Sequence, residues 1–199
     1  YCSYCERRMS TSLAVEHVLP KSIYPDLETE WANFLLACVN CNSVKGSTDI
    51  KREDHIWPDN DNTFLAFVYA KGGFVYLADD LNAEQRSKAQ ALLDLVGLQR
   101  HQAANWPDPR DRDQRWRQRD EVWAVAEIFR ARFEALDQVD AVRELVLEAA
   151  QGYGFFSVWM TVFEDYPTIR AGLIQLFAGT APSCFTPNGK PINRPGRVI

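Results

Sequence analysis

Hydrophobic and polar positions change rhythm twice along the chain. Residues 1–56 are dense in Cys, His, Asn and turn formers and show little regular periodicity. A turn-rich hexapeptide follows, Trp57-Pro58-Asp59-Asn60-Asp61-Asn62. Next come two apolar, β-rich runs, Thr63 to Tyr69 and Phe74 to Leu77, joined by Ala70-Lys71-Gly72-Gly73. Two such runs with a Gly-containing link predict a β-hairpin.

From Asn82 the rhythm is helical. Asn82 suits an N-cap, Leu92, Leu93 and Val96 share one face, and Gly97 stands where a C′ residue belongs. A longer helix is predicted over about 111–136, where Trp116, Val122, Trp123, Ala126, Phe129 and Phe133 recur at helical steps. That aromatic stripe reads as a core face rather than a partner surface. Val142, Leu145, Val146 and Ala149 mark a third helix, stopped by Gly152. Two shorter helices are expected over 155–164 and 168–178, the second opened by Pro167. Residues 179–199 read as an irregular tail rich in Pro and Gly. The expected class is α+β, with a small mixed core and hairpin over 1–80. A mostly helical region over 81–199 either packs on that core or forms a second lobe.

Composition narrows the picture modestly. The 199 residues, 46% of them hydrophobic, suffice for one good core and a smaller second one. No apolar run approaches the ~20 residues of a membrane span. Without an Arg-rich leader or signal-like stretch at the start, the expected location is cytoplasmic. The chain opens on Tyr1 rather than Met, so further upstream sequence is expected. A formal net charge of −5 argues against a protein that coats nucleic acid indiscriminately. It leaves room for an enzyme whose cations are clustered and whose metal supplies local positive charge.

Cysteine spacing changes the picture most. Four of the five cysteines form two C-x-x-C pairs, Cys2-Ser3-Tyr4-Cys5 and Cys38-Val39-Asn40-Cys41. Such pairs in a chain with no secretion signal read as a metal site rather than a disulfide framework. Four thiolates suit one tetrahedral Zn²⁺ with Zn–S near ~2.3 Å, and with no open coordination position the site is structural. The zinc would close the intervening 32 residues into a loop tied at its base. Cys184, left over in the tail, reads as a small half-buried hydrophobe.

Inside that loop lies Val15-Glu16-His17-Val18-Leu19-Pro20-Lys21-Ser22, then Asn33-Phe34-Leu35-Leu36, then Cys41-Asn42-Ser43-Val44-Lys45-Gly46. The order C-x-x-C, (D/E)-H-x-x-P-x-S, N-x-L-x-x-C-x-x-C-(H/N)-x-x-K-G resembles the HNH endonuclease family over about the first quarter of the chain. The family's last His is replaced by Asn42, a substitution that also occurs among its active members. The resemblance implies a ββα-metal core and hydrolysis of DNA phosphodiester bonds. It makes His17 the general base, Glu16 and Asn42 the carriers of a catalytic divalent ion, and Asn33 the residue that holds the loop through backbone hydrogen bonds. The chemistry agrees. Imidazole has the pKa for activating water near neutrality, and a hard cation stabilises charge gathering at phosphorus and the leaving oxygen. An oxygen-only pair suits Mg²⁺ or Mn²⁺. Lys45, one helical turn beyond Cys41, and Lys21 are expected to contact nucleic-acid phosphate.

One tension comes with the motif. Neighbours on a regular strand point to opposite faces, so Glu16 and His17 share a site only if the strand ends or twists at His17. His55 and Asp59 are weaker candidates for approaching the metal. Arg110, Arg112, Arg115, Arg117 and Arg119, interleaved with Asp108, Asp111, Asp113 and Asp120, read as i,i+4 pairs on a solvated helix face, with a DNA-tracking patch as the second reading. Tyr24-Pro25 and Trp31-Ala32-Asn33 extend the resemblance to HNH proteins that accompany an ATPase in bacterial anti-phage systems of the Septu and retron-associated kind. The alternative function is a catalytically decayed zinc-knuckle adaptor that binds DNA or protein.

Overall fold

A computed structural model describes residues 1–11, 13–101, 113–137 and 139–199. Strand β1 (Leu13–His17) pairs antiparallel with β2 (Phe34–Cys38), placing Glu16 opposite Leu35 and His17 opposite Phe34. β2 runs directly into helix α1 (Val39–Lys45), whose N-cap is Cys38, its sulfur accepting from the Cys41 amide. Gly46, at φ +55°, ends α1 in a conformation that side chains resist. This is the expected ββα unit. Alternation sorts the hairpin: Glu16, Leu35 and Ala37 are buried, while Val15 and Leu36 are exposed.

The second hairpin differs from expectation. Thr63–Ala66 forms one helical turn, α2, and the strand is confined to β3 (Phe67–Ala70), paired with β4 (Phe74–Leu77). Asn62 is the reason. Its Oδ1 accepts from Phe64 N, while its Nδ2 donates to the carbonyls of Cys184 and Ile192. A distant tail thus fixes the cap, and an apolar run alone does not distinguish strand from helix.

Helix α3 (Ala83–Val96) opens on a full capping box between Asn82 and Gln85 and closes on Gly97 in the left-handed region. The next helix, α4, spans Arg115–Ala135. The earlier start expected near 111, together with Asp108, Arg110, Asp111 and Arg112, lies outside the described residues. α5 (Asp140–Tyr153) runs through Gly152, and Gly154 ends it. Arg7 bridges to Gly154 there, so closely that a Cβ on Gly154 would lie 2.5 Å from the Arg8 nitrogen. Leu145, expected on the buried face of α5, is exposed; Val142, Val146 and Ala150 form that face. α6 (Phe156–Val162) and α7 (Pro167–Leu176) complete the set.

The helical region packs on the N-terminal core. α4 crosses α5 and α6, α5 meets α7, and α3 lies on α1. Phe133, Trp159, Phe163, Ile169 and Leu173 are buried among these helices. Across the seam, Ser157 donates from its amide and hydroxyl to the two Glu6 carboxylate oxygens, at 2.7 and 2.6 Å. Burial pushes the Glu6 carboxyl up to about 7, against the downward pull of those two bonds and of Arg119. The tail is more ordered than its composition suggests. Phe185 bridges to Pro191, and Ile199 is buried with its carbonyl accepting from Asn62 N. Cys184 is fully rather than half buried. Among the described residues no helix is long and apolar enough to cross a membrane.

Candidate functional site

Cys2, Cys5, Cys38 and Cys41 are all buried, and their sulfurs lie within 4.8 Å of one another. Cys5 and Cys38 sulfurs stand 3.7 Å apart, close to the ~3.8 Å edge of a tetrahedron with Zn–S of ~2.3 Å. The quartet is positioned to hold a metal ion, and the all-thiol donor set fits zinc. Hydrogen bonds from Cys2, Cys41 and Cys5 hold the Cys38 thiol far below its usual range, while the bonds among the sulfurs push Cys5 and Cys41 up. Four thiolates cannot crowd together in a buried space without a cation.

Sequence reasoning missed the residue that braces this cluster. Arg115 donates from Nη1 to the Cys41 sulfur at 3.0 Å and from Nη2 to the Gly97 carbonyl at 2.9 Å. Asp113 holds the same guanidinium, with Nε 2.9 Å from each carboxylate oxygen. Arg119, one turn later, donates to the carbonyls of Gly73 and Leu98. Both arginines are buried, so the solvated-face reading of the run fails for them; among the described residues of the run, Arg117 makes the expected surface pair, with Glu121. No local pattern marks the difference, because the cysteine cluster and loop carbonyls that draw these guanidinium groups inward are distant in the chain. A donor to a metal-bound thiolate tunes its charge and orientation.

His17 is the last residue of β1, so the strand ends where the motif requires. Its ring packs edge-on against Phe34, at 5.0 Å, and Nε2 lies 3.0 Å from the Glu28 carbonyl oxygen. A carbonyl only accepts, so Nε2 carries the hydrogen and the lone pair of the neutral ring falls on Nδ1. Glu28 extends this seat. Its carboxylate pairs with Lys21 at 2.7 Å and is held below its usual range by that lysine. Asn33 clamps the loop that carries Glu28. Its Oδ1 accepts from Leu19 N at 2.8 Å, and its Nδ2 donates to the carbonyls of Leu19 and Leu27. Tyr24 ties the same loop to Asp49 at 2.9 Å.

Glu16 points the other way, into the hairpin's buried face, and is 2% exposed. Its Oε1 stands 2.6 Å from the Lys45 ammonium, which also donates to the His17 carbonyl at 2.9 Å. Lys45, expected at phosphate, is thus turned inward and buried. Burial raises the Glu16 pKa, and Lys45 opposes the rise. Asn42, in the middle of α1, is half buried, and no hydrogen bond of its side chain occurs among the described residues. Asp59 pairs with Arg52, and His55 bonds the Lys51 carbonyl through Nδ1, so each has a partner other than a metal.

With this geometry in hand, comparison with known proteins is specific. Residues 2–48 match the HNH endonuclease family. The matched segment contains both C-x-x-C pairs and all of Glu16, His17, Asn33, Asn42 and Lys45. The Septu protein PtuB of Bacillus thuringiensis is 46% identical over 78 residues, covering 36% of this chain. The aligned part spans 30% of that relative's length. The expected likeness to HNH nucleases of the Septu type is therefore supported, with the family match itself lying at residues 2–48.

Proposed function

We propose that this protein is a metal-dependent HNH endonuclease that hydrolyses DNA phosphodiester bonds and acts as an effector in bacterial anti-phage defence, with an ATPase as partner. The observation that carries the reading is the seat of His17. The Glu28 carbonyl takes up Nε2 and leaves Nδ1 as the proton acceptor, while Asn33 clamps the loop supplying that carbonyl. His17 Nδ1 takes a proton from the attacking water as the new P–O bond forms and the bond to the leaving oxygen breaks. The four cysteine sulfurs would hold a structural zinc, and Cys38 and Cys41, at the start of α1, would thereby fix the placement of Asn42 and Lys45.

Glu16 and Asn42 would hold Mg²⁺ or Mn²⁺, which supplies Lewis-acid stabilisation of the phosphorane charge. The fit rests on one buried atom. Glu16 Oε1 is buried against the Lys45 ammonium at 2.6 Å, so this oxygen already stands at a position that suits a cation. Lys21, exposed beside the Glu28 carboxylate, is a cation available to phosphate. Supercoiled plasmid incubated with Mg²⁺, Mn²⁺ or EDTA tests the proposal: nicking in either metal and none in EDTA is expected. Asn42→Ala should raise the Mg²⁺ needed for nicking roughly tenfold or more while zinc content stays unchanged. DNA binding without cleavage under every metal would favour the adaptor reading.

A further inference from the structure

Lys45 is one of the most deeply buried side chains in the protein, at 1% exposed, and nothing in a structural zinc knuckle requires a lysine there. It stands four residues after Cys41, so the two share a face of α1, and α1 packs against β1. There the ammonium meets Glu16 Oε1 at 2.6 Å and the His17 carbonyl at 2.9 Å. It is the described contact that joins the two neighbouring motif residues, whose own side chains lie on opposite faces of the hairpin.

We infer that Lys45 is a built-in competitor of the divalent ion: its ammonium occupies the cation position at Glu16, and a divalent ion loads only by displacing it. The inference rests on the reading of Glu16 as a metal ligand. A Mg²⁺–carboxylate oxygen distance is about 2.0–2.1 Å, so an ammonium 2.6 Å from the same oxygen stands within the space the ion needs. Two cations on one buried oxygen repel strongly, because little water screens them. The ammonium at 2.6 Å is the charged partner of Glu16 Oε1, so it neutralises the buried carboxylate where a metal cation would otherwise do so. The arrangement accounts for a buried carboxylate that is stable without metal. It also makes substrate phosphate, an alternative anion for a released ammonium, a promoter of metal loading.

The test measures Mn²⁺ binding to the zinc-loaded protein without nucleic acid, by electron paramagnetic resonance of free Mn²⁺, for the parent, Lys45→Met, Glu16→Gln and the double variant. Lys45→Met should bind Mn²⁺ at least tenfold more tightly than the parent, with a melting temperature that rises on Mn²⁺ addition, and Glu16→Gln in that background should abolish the gain. Equal or weaker binding by Lys45→Met, with Glu16→Gln still weakening the parent, overturns the competition while leaving Glu16 a ligand. Glu16→Gln without effect in either background overturns the ligand assignment and the competition with it. Should Lys45→Met fail to fold, nuclear magnetic resonance of the parent's lysine ammonium groups decides the matter. The slowly exchanging Lys45 signal should vanish or shift on Mg²⁺ saturation, and an unmoved signal overturns the proposal.

Discussion

Around the first hairpin and α1 the protein buries charges and amides beside its cysteines, whereas the contacts among α4, α6 and α7 are made largely by rings and aliphatic side chains. Around the hairpin and α1 the hidden side chains include Glu6, Glu16, Asn33 and Lys45 beside four cysteines. Between α4, α6 and α7 they include Phe133, Trp159, Phe163, Ile169 and Leu173. Apolar burial is non-directional and tolerates rotation of one group against another. Hydrogen bonds and metal–ligand bonds are directional, so they set where an imidazole nitrogen points. A small polar core thus sits on a larger apolar one. The polar core aims the motif residues, and the aromatic core gives it a firm platform through Glu6–Ser157 and Arg115–Cys41.

Removing the metal should separate the two regions most sharply. Structural zinc contributes an apparent ~10–16 kcal/mol in small zinc domains. One zinc per chain is expected on metal analysis, and stripping it should melt the hairpin region early while much of the helical circular dichroism persists. An apo protein that melts no earlier than the zinc form ends the claim that the knuckle holds this region together.

His17→Ala removes the proton acceptor and little packing. A loss of about 10²–10⁴ in nicking rate is expected, with zinc content and melting temperature close to the parent's. Retention of most activity would remove His17 from the base role.

Phe163→Ala probes the other side. Phe163 is fully buried, stacked on Trp159 and flanked edge-on by Phe133 and Tyr166. Truncation should cost about 3–5 kcal/mol in denaturant unfolding. Unchanged zinc stoichiometry is expected, and zinc loss would show the two regions to be less separable than their chemistry suggests.

The mildest change is Asn33→Ala, which leaves Leu19 N and the carbonyls of Leu19 and Leu27 without their clamp. Each unmet buried group costs about 1–3 kcal/mol. Faster hydrogen exchange in the loop between β1 and β2, and a nicking rate that falls further than global stability does, would mark Asn33 as a positioning residue for His17. A rate that merely tracks stability would leave it a packing residue.

Much of this was readable in the chain. The two C-x-x-C pairs indicated the thiol quartet, the D/E-H and N-x-L elements located the loop, and the caps of α3 showed in Asn82 and Gly97. These are local signals, in which spacing and geometry are tied within a few residues. The strand boundary at Phe67 was not readable, because the cap that shortens it is held by carbonyls more than a hundred residues away. The burial of Arg115 and Arg119 escaped for the same reason: their neighbours along the chain are acidic and polar, as on any solvated helix.

By itself, then, the sequence determined which ligands meet, since two short-range thiol pairs can close on one ion whatever the rest of the chain does. It also determined the family likeness and the order of strands and helix in the motif. Tertiary structure decided how each ionisable group is used. Lys45 looks like a solvent or phosphate lysine until α1 is laid across β1, when its ammonium has Glu16 as its nearest anion. Arg115 looks like a surface charge until α4 is laid against the knuckle, when a sulfur and a helix-end carbonyl accept its hydrogen bonds. The physical reason is the same in both cases. The state of a charge depends on the solvent and counter-charges around it, and those come from residues distant in the chain.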